Sequence, residues 1–111
     1  MHSTVVLFNV GSDYFAVELS EIKEIHSGCE KGLKLWELFH KKVTGWDTKA
    51  QLILKDGFEM VVNGNPATSR FTGLDLDKSQ KDEYTKGVLH DKKHNRDIKV
   101  VEVESLRRFS N

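Results

Sequence analysis

From Thr4 to Leu19 the chain reads TVVLFNVGSDYFAVEL, two apolar, β-branched and aromatic runs on either side of Gly11-Ser12-Asp13. Runs of that kind around a turn-forming break predict a β-hairpin. Successive strand side chains point to opposite faces, so Phe8 and Val10 share one face of the first strand. Phe15, Val17 and Leu19 share one face of the second, with Tyr14, Ala16 and Glu18 opposite, and one face of the hairpin is expected to be core. A second hairpin is predicted over QLILKDGFEMVV, from Gln51 to Val62, where Asp56-Gly57 supplies the positive-φ residues of a tight primed turn. A third pairs Lys86 to His90 with Ile98 to Val103 through DKKHNRD, a run hydrophilic enough for a solvated loop.

Between the first two hairpins, SEIKEI (Ser20 to Ile25) has Ser20 available as the N-cap of a short helix. In LKLWELFHKK (Leu33 to Lys42), Leu35, Leu38 and Phe39 fall at helical spacing and predict a helix in the second half, while Leu33 to Leu35 equally suits the start of a strand. The segment from Asn63 to Tyr84 is rich in Gly, Pro, Asn, Ser and Asp, has few apolar residues, and reads as a long connection. The expected fold is mainly β with short helices. A length of 111 residues suits one domain spanning 1–111, since a domain takes about 150 residues as a first guess.

Charge and cysteine content narrow the function classes. Lys plus Arg and Asp plus Glu both number 17, for a formal net charge of zero. A duplex binder neutralises phosphates with a basic face, whereas the basic residues of the last third are interleaved with Asp82, Glu83, Asp91, Asp97, Glu102 and Glu104, so no nucleic acid partner is expected. Cys29 is the sole cysteine, which rules out an intramolecular disulfide and suits the reducing cytoplasm. The longest early apolar run, Val5 to Phe8, is far short of a signal-peptide core or a span, so no membrane insertion is expected.

The opening block VVLFNVGSDYFAVELSEIKEI resembles the first strands of the CheW-like family of chemotaxis coupling proteins: a hydrophobic strand, a Gly-centred turn, an aromatic-Ala-aliphatic strand and a short helix ending in Glu-Ile. Tyr14, Ala16, Val17, Glu24 and Ile25 fall where that pattern wants them. KLWELFHKK resembles the family's Leu-Arg-Glu-Leu-Phe-like segment, LILKDGFEMVVNG its paired strands ending in Val-Val-Asp, and GVLHDKKHNRDIKVVEVESLRRF its closing hairpin and last short helix. The chain departs from the pattern in three places. HSGCEKG, from His26 to Gly32, is far shorter than the family's loop and strands, an Asn-x-Arg-Gly-like motif is absent, and Asn63 replaces the acidic residue after the paired valines. The resemblance implies a pair of small β-barrels sharing a core, here with one strand pair missing. It also implies a non-catalytic adaptor that couples receptors to a sensor histidine kinase in chemotaxis-type signal transduction. If the shortened stretch removes a barrel-closing strand pair, an unpaired strand edge follows, and with it a homodimer formed through that edge.

Several constellations carry candidate chemistry. Asp75, Asp77 and Ser79 have the spacing of the first calcium-loop ligands, with Glu83 at the ninth position, but Gln80 stands where the loop needs Gly and Lys86 where it needs a bidentate Glu. His90 and His94 are four apart yet fall in the hairpin connection with no third ligand near, so neither metal nor other cofactor is expected. His26 and Cys29 share a short loop and suggest the alternative, a small ligand-binding protein or hydrolase using them with the acidic loop, although nothing supplies an orienting group or oxyanion site. The isolated glycines match no phosphate-cradling motif, and Glu18, Glu21 and Glu24 beside Lys23 read as a solvated polar face. Of the aromatics outside the strand patterns, Trp36, Phe39, Trp46 and Phe71, at least two are expected in the core. Trp46, in the polar context Thr44-Gly45-Trp46-Asp47, and Phe71 beside Arg70 are the expected partner-binding anchors.

Overall fold

The N-terminal alternation forms β1 (His2–Val10) and β2 (Asp13–Glu18), paired antiparallel from Val5 opposite Glu18 to Val10 opposite Asp13. This is a computed structural model, and it describes residues 2–45, 47–72 and 76–108. Both faces of the hairpin are buried, where the alternation predicted one. Val6, Phe8, Val10, Phe15 and Val17 join the larger apolar cluster, while Val5 and Ala16 on the other face join a second with Leu89, Ile98 and Val100. The cause is tertiary: β2 also pairs in parallel with β8 (Arg96–Val101), which brings β8 and β7 (Thr85–Asp91) alongside the hairpin. Leu19, expected inward, is 39% exposed because the strand ends at Glu18.

After β2, Leu19–Glu21 makes a single 3-10 turn without a side-chain cap, and β3 (Ile22–Ser27) follows. The predicted helix over SEIKEI is therefore mostly strand, since β3 gains a full antiparallel partner in β5 (Lys49–Leu54) and such pairing overrides weak local propensity. β4 (Leu33–Lys34) is two residues long and runs parallel to Met60 and Val61. It leads into α1 (Leu35–Leu38), one turn that seats Leu35 fully buried. Leu33 therefore begins in a strand, and the helix is shorter than predicted.

The second hairpin joins β5 to β6 (Glu59–Thr72), with Gln51 opposite Val61 and Ile53 opposite Glu59. Its turn differs from the primed form. Gly57 has φ 93° but Asp56 does not lie at positive φ, and the closing bonds run from Gly57 N–H to Leu54 O (2.9 Å) and from Leu54 N–H to Phe58 O (2.9 Å). This is a three-residue loop with Gly in the left-handed position, tied by the Asp56 carboxylate accepting from Phe58 N–H at 3.0 Å.

The segment predicted as connection from Asn63 onward continues β6 to Thr72, where it pairs with β1 from Ala67 opposite Leu7 to Thr72 opposite His2. Pro66 is tolerated because it falls inside the register shift between Leu7 and Asn9, where no ladder hydrogen bond is needed. A 3-10 turn at Lys78–Gln80 precedes β7, and the chain ends its described part in α2 (Val103–Arg107), which buries Val103 and Leu106.

One eight-stranded sheet results, in the order β3-β5-β6-β1-β2-β8-β7, with β4 attached to β6. The sheet is open, ending at β3 on one side and β7 on the other. Among the described residues no helix is long and apolar enough to cross a membrane.

Candidate functional site

The residues singled out from the sequence are scattered. Phe71 lies on β6 half-buried against the smaller apolar cluster, and Trp36 and Phe39 pack against the larger one. Trp46 and Asp75 lie outside the described residues. His26 and Cys29 are linked only by a long backbone bond, Cys29 N–H to His26 O at 3.4 Å, and the His26 ring stands 3.8 Å from Glu24. They sit at the β3 end of the sheet order, whereas Asp77 bridges to Val88 on β7 at the other end, so His26, Cys29 and the acidic loop do not converge in the strand order.

His90 and His94 are held apart by separate carboxylates. His90 is a strand residue whose ring bridges two aspartates, Nδ1 to Asp97 at 2.7 Å and Nε2 to Asp77 at 2.9 Å. The two carboxylates, Asp77 foremost, raise its pKa above the ordinary 6.5. Asp77 is lowered to about 2, first by the Ser79 hydroxyl and then by His90. Of the loop side chains that suggested calcium, Asp77 and Ser79 thus bind each other, and Asp77 also binds His90. His94 instead caps the β7–β8 turn with Asp91, which is nearly buried and also accepts from Arg96 Nε at 3.0 Å. Burial alone would push the Asp91 carboxyl up, but the bonds from His94 and Arg96 outweigh it and leave it lowered.

A shallow aromatic cleft was not legible in the sequence. Phe15 and Phe39 stack with centroids 5.1 Å apart, Tyr84 tilts onto Phe39 at 5.5 Å, and Leu38, Lys41, Lys99 and Asp82 complete a space of about 230 Å³. Asp13 sits at its rim 2.6 Å from Lys41, whose hydrogen bond holds the Asp13 carboxyl below its ordinary value. These residues come from β2, the end of α1 and the residues after it, the approach to β7, and β8, far apart in sequence, so only the fold joins them.

The open β3 edge is the other exposed feature. Gly28 N–H donates to Lys49 O at 2.8 Å, and the pairing runs on through Ser27–Ala50, His26–Gln51, Ile25–Leu52 and Glu24–Ile53. Hydrogen-bonded and non-hydrogen-bonded pairs alternate along an antiparallel ladder. Stepping by two from Gly28, His26 and Glu24 turn their backbone groups toward β5, while Ile25 and Ser27 turn theirs outward. All of Lys23 to Ser27 is exposed, Ile25 to 39%.

Compared with known proteins, the chain matches no family model and has no significant match among curated proteins.

Proposed function

We propose that the chain is a non-catalytic, cytoplasmic adaptor of the CheW-like kind, which scaffolds a chemoreceptor to a sensor histidine kinase. The observation that carries this reading is the pair of apolar clusters on the two faces of the β1–β2 hairpin. Two small cores sharing one hairpin are what a pair of reduced barrels would require, with β3, β4, β5, β6, α1, α2 and the end of β8 around one and β7, β8 and Phe71 of β6 beside the other. The two later hairpins and the final helix follow the order of the resemblance, while strand β3 stands where the resemblance has a short helix ending in Glu24-Ile25. On this reading the shortened stretch His26 to Gly32 stands in for the absent strand pair; residues 28–32 between β3 and β4 carry no strand. Fold analogy is a weak warrant for a partner, so the partner is tested directly. Titration calorimetry with the signalling fragment of a receptor and with a sensor kinase from the same genome is expected to give saturable binding to at least one. Heat of dilution alone with every receptor and kinase of that genome would reject the adaptor role.

A further inference from the structure

We infer that the chain pairs with a second copy of itself along the outer edge of β3, antiparallel, with Ile25 facing the partner's Ile25. The inference stands independently of the adaptor role. β3 ends the sheet order, and among the described residues no strand pairs with its outer side. Two other edges are partly blocked. Residues 76–80 lie against β7, with Asp77 N–H donating to Val88 O at 2.8 Å and Val88 N–H to Asp77 O at 3.2 Å. Beyond Asn63 the edge of β6 that faces away from β1 is interrupted at Pro66, which has no N–H to give. β3 has no such cover, and it presents the outward N–H and C=O groups of Ile25 and Ser27 with an exposed isoleucine at the centre.

Backbone parity and charge select one register. Two outward-facing residues must lie opposite each other to exchange hydrogen bonds, which rules out setting Ile25 against Glu24 or His26 of the partner. Of the remaining choices, centring on Glu24 sets two carboxylates face to face, and centring on His26 sets His26 against its own copy. Centring on Ile25 sets Glu24 opposite the partner's His26 and His26 opposite the partner's Glu24. It also places Lys23 opposite Ser27 and lets the two isoleucines cover each other. Apolar and opposite-charge cross-strand pairs are the favourable ones, and like charges directly opposite are unfavourable. The register shift between Ile22 and Glu24 bends the strand and limits the pairing to residues 23–27, which makes a short, reversible contact rather than an obligate dimer.

Sedimentation velocity over a concentration series is expected to show a monomer–dimer equilibrium in the micromolar range. Ile25→Lys, at an exposed position that leaves the melting temperature in place, is expected to weaken the dimer about tenfold or more. Exchanging the charges, Glu24→His with His26→Glu, is expected to preserve it. In a Cys29→Ser background, Ile25→Cys is expected to give a covalent dimer under mild oxidant and Glu24→Cys none, because only the former brings equivalent Cα atoms within disulfide reach. A monomer at high micromolar concentration overturns the inference, as does a dimer indifferent to Ile25→Lys. Crosslinking through position 24 instead of 25 overturns the register.

Discussion

Asn63 shows how one side chain fixes the joint between two hairpins. It is nearly buried, its Oδ1 accepts from Gly11 N–H at 2.8 Å, and its Nδ2 donates to Gly11 O at 3.0 Å. Gly11 lies at φ 66°, where its two backbone groups face this amide. Only a side chain that both accepts and donates satisfies that pair, which suits an amide at this position. Asn63→Asp keeps the acceptor but sets a carboxylate oxygen against the Gly11 carbonyl. It should cost about 1–3 kcal/mol in a urea melt, and an unchanged midpoint would contradict the role. His90 gives a second test. Its raised pKa makes a contribution that is complete below 6.5 and lost as pH rises through the folded value. Asp77, lowered to about 2, contributes above 3.8 and loses that contribution as pH falls toward 2. The clasp is therefore strongest between 3.8 and 6.5. The melting-temperature gap between the wild type and His90→Gln should be widest in that window and narrow on the alkaline side. A gap that does not vary with pH would contradict the clasp.

At the level of elements, the hairpins were legible because their apolar alternation is local and the breaks at Gly11 and Gly57 are chemically explicit. The turn between β5 and β6 tests this most simply. Gly57→Val forces a β-branched residue to φ 93° and should cost about 1–2 kcal/mol. Lys92→Val, in the exposed β7–β8 turn, should stay within about 0.5 kcal/mol. Equal melting temperatures would contradict the left-handed requirement at Gly57. What was not legible came from long-range pairing. The far half of β6 carries Gly64, Pro66 and Ser69 with little alternation, and it is a strand because β1 offers a ladder 60 or so residues away in sequence. β3 looked helical from its cap and became a strand for the same reason. At the β7–β8 turn, Asp91 and Arg96 were read as solvated loop, yet they pair across the last rung and extend the hairpin.

At the scale of the molecule, the sheet winds past the β1–β2 hairpin so that each face of it meets a different apolar cluster, while among the described residues the outer side of β3 has no strand beside it. Composition bears only on the overall charge balance, and alternation gave the mainly β fold. Neither could give the aromatic cleft of Phe15, Phe39 and Tyr84 or the open edge, since both depend on which strands meet. A non-catalytic scaffold is the central claim, and coupling is its direct consequence. The deciding measurement is kinase autophosphorylation in vesicles carrying a receptor and a sensor kinase from the same genome, with and without this chain. Receptor-dependent control of the kinase that rises and saturates with added chain is the predicted result. A phosphorylation rate that ignores the chain at every ratio, for each receptor and kinase of that genome, would contradict it.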